Sequence, residues 1–159
     1  MNSDETAFSA ALIDASEGAL RAIRSLGLTP SDAADVLQEA SIRAWRHRDQ
    51  RRGDFRPWFI SIAYHEARRP RRRWLTMPAF WTARTDAPET DEQLDAVLQA
   101  LPSLPKRQRL VLCLRSEVGL STREAAAVMG ISEPAAKQLL ARARESLRRG
   151  LGTSAHEVA

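Results

Sequence analysis

Apolar residues return at steps of three and four along most of this chain. Phe8, Leu12, Ala15, Ala19, Ile23 and Leu26 form one such stripe and predict a helix over 5–26. Gly27 followed by Leu28 has the form of a helix C-terminal cap with its apolar contact. A second helix has a marked start: Thr29 as cap, Pro30 at the first helical position and Asp32 closing a variant of the capping box. Ala33, Leu37, Ala40 and Ala44 then face inward with Val36 and Trp45 beside them, while Asp32, Asp35, Gln38, Glu39 and Arg43 face out. After a polar stretch over 46–54, Phe55, Trp58, Phe59, Ile62 and Ala63 supply the apolar side of a third helix, with Asp54 as its cap and Pro70 ending it near Arg69.

Residues 74–92 break the rhythm. They hold Pro78, Pro88 and four threonines without helical periodicity, which reads as a linker, although Trp74, Phe80 and Trp81 are unusual in one. Helical spacing returns with Leu94, Val97, Leu98 and Leu101, stopped by Pro102 and Pro105, and again with Leu110, Val111 and Leu114. Ser121 and Glu124 form a capping box that opens a short helix through Met129. Gly130 makes a turn, Ser132 caps a last helix with Pro134 in its first turn, and Ala136, Leu140, Ala143 and Leu147 give that helix its buried stripe, ended by Gly150. The expected fold is all-α: two small helical domains, 1–73 and 93–151, joined by a flexible linker at 74–92 and followed by a tail at 152–159.

Composition agrees with helix and narrows the function. Alanine and leucine far outnumber valine, isoleucine and threonine. No apolar run approaches the roughly 18 residues of a membrane span, and residues 1–8 lack the basic and apolar regions of a secretory signal, so a cytoplasmic protein with no membrane insertion is expected. The one cysteine, Cys113, excludes an internal disulfide and a cysteine zinc cluster, and reads as a buried small hydrophobe. His47, His65 and His156 have no metal-ligand spacing, and there is no phosphate loop or Ser-His-Asp constellation, so neither an enzyme nor a metal or cofactor is expected. The net charge of +4 is unevenly spread: −3 over 1–50, +6 over 51–75, −4 over 76–101 and +5 over 102–159. Two basic blocks separated by an acidic stretch suit phosphate backbones.

Residues 121–149 have the build of a helix-turn-helix, whose second helix enters the major groove. Its stripe leaves Glu133, Pro134, Lys137, Gln138, Ala141 and Arg142 pointing away from the core. Gln138 suits adenine and Lys137 suits guanine or phosphate, whereas Arg123, Arg142 and Arg144 suit the DNA backbone.

With these residues in place, the chain resembles the extracytoplasmic-function (ECF) group of bacterial RNA polymerase sigma factors. Three stretches bear the resemblance: DAADVLQEASIRAWR from Asp32 to Arg46, FRPWFISIA from Phe55 to Ala63 with the arginine run after it, and LPSLPKRQRLVLCLR from Leu101 to Arg115 with the helix-turn-helix. The resemblance implies a promoter-specificity subunit for core RNA polymerase. Asp35, Gln38, Glu39 and Arg43 would dock on the clamp helices of the largest subunit, and the polymerase flap is a further implied contact. Tyr64, His65, Arg68, Arg69 and Arg72 would hold the "−10" element as the strands part, with Trp58 and Phe59 mainly in the core and Tyr64 and His65 nearer the DNA. The acidic linker would lie in the polymerase cleft, and an anti-sigma factor is a further implied partner. The chain departs from the family's pattern where Tyr64-His65 replaces Arg-Asn, Arg69 replaces Asp, Pro134-Ala135-Ala136 replaces Gly-Thr-Val, and Leu139 takes a common basic position. A sigma-like decoy that sequesters an anti-sigma factor and a stand-alone helix-turn-helix regulator remain alternatives.

Overall fold

The computed structural model describes residues 2–69 and 100–157, and within them every regular element is helical. The expected linker, with Trp74, Phe80 and Trp81, lies outside the described residues, as do Pro70, Arg72 and the stripe Leu94, Val97 and Leu98. The N-terminal module holds α1 (Ser3–Ser25), α2 (Pro30–Arg46) and α3 (Phe55–Ala67). The C-terminal module holds α4 (Lys106–Ser116), α5 (Thr122–Met129) and α6 (Glu133–Glu157), entered through a 3-10 turn at Leu101–Ser103.

Most boundaries follow the expected signals. Gly27, at φ 92°, ends α1 and donates its N–H to the Arg24 carbonyl, and Leu28 after it is buried. The Asp32 N–H donates to Thr29 Oγ1 at 3.1 Å, which fixes the start of α2. The reciprocal half of that box is not made: Asp32 Oδ2 is buried with no hydrogen-bond partner among the described residues. Asp54 does occupy the cap position of α3, but its side chain makes no capping bond. Gly150 does not end α6, which runs on to Glu157. Glycine inside a helix costs only about 1 kcal/mol relative to alanine. A β-carbon at Gly150 would sit 3.4 Å from the β-carbon of Ala100, an ordinary contact distance.

The N-terminal core is rich in small residues. Ala15, Ala19 and Ala22 of α1, Ala33, Ala40 and Ala44 of α2, and Ala63 of α3 are all buried, so the helix backbones lie close together around Ile23, Val36, Phe59 and Ile60. Phe8 meets Trp45 and Phe55 edge-on at 5.0 and 5.4 Å, closing one end of the bundle. In the C-terminal module Leu110, Val111, Leu114, Val128, Met129, Ala136 and Leu140 form the counterpart.

The two modules share one contiguous core. α4 packs on α1, and α5 packs on α3. The contact is tight at Gly18, where a β-carbon would stand 3.2 Å from Val118 Cγ1 and 3.5 Å from Ile60 Cδ1. Two separate patterns in the sequence therefore fold into halves that also bury apolar surface against each other.

Candidate nucleic-acid interface

The helix-turn-helix is built by short-range bonds. Glu124 donates its N–H to Ser121 Oγ at 3.1 Å, and Ser121 returns its own N–H to Glu124 Oε2 at 2.7 Å. Gly130 closes α5 at φ 66° and ψ 34°. A β-carbon there would meet nothing within 4 Å, so the left-handed backbone, not lack of space, selects glycine. The N–H groups of Gly130 and Ile131 reach the carbonyls of Ala127 and Ala126, the paired bonds of a Schellman end. Ser132 Oγ then accepts from the Ala135 N–H at 3.2 Å and starts α6. Just upstream, Arg115 Nη1 donates to the Leu120 carbonyl and ties the end of α4 to the entry of the motif.

Ala136, Leu140 and Ala143 turn inward on α6, and Leu147 is half-buried. The expected reading residues Glu133, Pro134, Lys137, Gln138, Arg142 and Arg144 are all exposed. Lys137 Nζ lies 3.5 Å from Glu133 Oε1, an exposed pair of small energetic value that a DNA phosphate can replace. Arg123 is exposed too, but it stands apart from the others. It lines a cleft with Arg52, Asp54, Trp58 and Ser61, facing the N-terminal module.

In the N-terminal module the expected set divides. Asp35 and Gln38 are exposed on α2, and Glu39 is half-buried. Arg43, expected to face a partner, instead crosses to α3, where its Nη1 donates to Glu66 Oε2 at 3.0 Å. His65 and Arg68 are exposed as expected of DNA-facing groups. Tyr64 is not: only 4% of it is accessible, so the expectation that it lies nearer the DNA is corrected. The reason is helical spacing, since Ile60, Tyr64 and Ala67 lie on one face with Phe59 and Ala63, and that face is the core. The Arg68 guanidinium stands 5.3 Å over the Tyr64 ring, and the His65 ring lies 5.5 Å from it. Tyr64 thus supports its neighbours from beneath. Phe59 is fully buried and Trp58 half-buried, close to the expected places.

Glu66 was missed in the sequence. Its side chain is only 7% exposed, and its second oxygen, Oε1, accepts from Arg69 Nη1 at 3.1 Å. The signal was available in the spacing, because position 66 follows 59 and 63 on the buried stripe, where an acid needs a partner. A second buried charge, Arg109 of α4, has its pKa lowered by desolvation, and its Nε has no partner among the described residues. Cys113 is buried, and desolvation pushes its thiol far above the ordinary value, as for a packing residue rather than a reactive one. Among the described residues no group of three or more His, Cys, Asp or Glu side chains is placed to hold a metal ion. No described helix is long and apolar enough to cross a membrane.

Comparison with known proteins decides what this arrangement belongs to. Residues 15–74 match Sigma-70 region 2, and residues 94–147 match Sigma-70, region 4. RNA polymerase sigma factor NccH of Alcaligenes xylosoxydans xylosoxydans is 32% identical over 143 residues, spanning 80% of this chain and 77% of its own. The ECF RNA polymerase sigma factor SigF of Caulobacter vibrioides is 33% identical over 133 residues, spanning 79% and 74%. This chain belongs to the ECF sigma factors of the sigma-70 family. The solved structure of CnrH in complex with the cytosolic domain of CnrY superposes with a TM-score of 0.67 at 27% identity, covering 94% of this sigma factor and 90% of CnrH. The N-terminal module is therefore region 2 and the helix-turn-helix is region 4.

Proposed function

We propose that this sigma factor is a non-catalytic subunit that binds core RNA polymerase in the cytoplasm and directs it to particular promoters. The exposed acid and amide groups of α2, Asp35 and Gln38 with Glu39 beside them, form the docking face for the clamp helices of the largest polymerase subunit. His65, Arg68 and the arginine run hold the "−10" element, and α6 reads the "−35" element through Lys137 and Gln138, with Arg142 and Arg144 on phosphates. The observation that carries this reading is the recognition helix, on which Lys137, Gln138, Arg142 and Arg144 are exposed while Ala136, Leu140 and Ala143 are locked into the core.

The shared core adds a condition. Elements some 25 base pairs apart lie about 85 Å apart along the duplex at about 3.4 Å per pair. A compact chain of 159 residues has a radius of gyration of only about 15 Å. The two modules must part for both elements to be held at once, so the packed form is that of the free protein, and an anti-sigma partner would be one means of keeping it shut.

Gel-shift with and without core polymerase tests the proposal. Sequence-specific DNA binding that depends on core polymerase supports it. Specific binding to a palindrome by the protein alone supports a stand-alone regulator instead, and binding to neither supports a decoy.

A further inference from the structure

One cluster is not absorbed by the region 2 reading: the buried carboxylate of Glu66 with a guanidinium on each oxygen. Arg43 comes from α2 and Arg69 from just beyond α3, with donor distances of 3.0 and 3.1 Å. The carboxylate is covered, whereas the two arginine side chains are 43% and 53% exposed. A guanidinium carries five N–H donors, and among the described residues Glu66 is the ion-pair partner of both arginines, which leaves donors on each for an outside acceptor. The trio has a net charge of +1, and two planar forks held by one anchor are suited to the oxygens of a phosphate.

We propose that Arg43, Glu66 and Arg69 form a phosphate-binding site for the DNA backbone, in which Glu66 is a positioning residue and Arg43 serves DNA rather than polymerase. The inference deepens the region 2 reading and rests on it for the orientation of this face towards promoter DNA. Three observations favour DNA over an acidic protein surface. Arg43 leaves the acidic face of α2 and reaches α3. Exposed His65 and Arg68 lie in the same short stretch as Arg69. The most basic block of the chain, 51–75, contains two of the three members.

The test uses the full chain and a mixed-sequence DNA duplex, with affinity measured from about 50 to about 200 mM salt. Arg43→Ala and Arg69→Ala are each expected to weaken binding several-fold and to flatten the dependence of log K on log salt by about 0.9. Glu66→Gln separates positioning from charge. It makes the site more positive, so charge alone demands tighter binding, whereas loss of the anchor predicts weaker binding, partly restored in Glu66→Asp. Tighter binding by Glu66→Gln, or an unchanged slope in both arginine variants, overturns the proposal. Should Glu66→Gln fail to fold, the two exposed arginine variants still decide it. A parallel pull-down on core polymerase is expected to show wild-type affinity for Arg43→Ala. Lost polymerase affinity with unchanged DNA binding returns Arg43 to the docking face and rejects the site. If the wild-type chain ignores core polymerase while the salt slope responds as stated, the phosphate site stands and the sigma reading fails.

Discussion

Region 4 places its chemistry by bonds between residues three to six apart, whereas region 2 depends on groups brought together from distant parts of the chain. The capping box at Ser121, the left-handed Gly130 and the cap at Ser132 settle the angle of the helix-turn-helix almost by themselves. In region 2 the decisive contact, Arg43 to Glu66, spans 23 residues and two helices. The difference teaches where specificity is stored in a small helical protein. A recognition helix needs only one clean outward face, but a surface made from two helices depends on how their buried faces fit.

Four sets of substitutions test the two regions against each other. The largest effect is expected from Phe59→Ala in the fully buried centre of region 2, which should cost about 3–5 kcal/mol in denaturant unfolding. Because the cores are continuous, both modules should lose stability in one transition, and an undisturbed region 4 melting separately would show that the modules are independent. Gly18→Leu should follow. Overpacking against Val118 costs about 1–3 kcal/mol and should be relieved by parting of the modules. The radius of gyration in solution scattering should then rise with helix content unchanged, and a constant radius would refute the tight contact.

The third set exchanges the two modules' tasks. Lys137→Glu in region 4 should cost about 1–3 kcal/mol in promoter binding by the holoenzyme and leave thermal unfolding unchanged. Asp35→Lys in region 2 should weaken capture of core polymerase and spare DNA contacts. If either variant produced the other's defect, the assignment of the two faces would be reversed. The smallest effect compares two caps. Ser121→Ala should destabilise by about 1 kcal/mol, whereas Asp54→Ala, which removes no capping bond, should be close to neutral in thermal melts.

The same contrast explains what could be read from the sequence. Helices, their order and which residues α6 exposes were legible, because periodicity, caps and a left-handed glycine are local signals. Tyr64 was misjudged because an aromatic near a basic tract looks like a stacking platform, while its spacing from Ile60 and Ala67 already placed it inside. The pairing of Arg43 with Glu66 was missed because spacing shows that a buried acid needs a partner, not which helix supplies it. Nor did the sequence reveal the joint core. An amphipathic stripe shows that a face is buried, not what buries it, and Gly18 and Val118 are 100 residues apart.

On this reading the chain gives core RNA polymerase its promoter preference. In vitro transcription of genomic DNA by purified core enzyme, with start sites mapped in the presence and absence of the protein, tests it most directly. A sigma factor should produce a small set of start sites that appear only when the protein is added and that share sequence elements upstream at two fixed positions. The same start sites with and without the protein would contradict it.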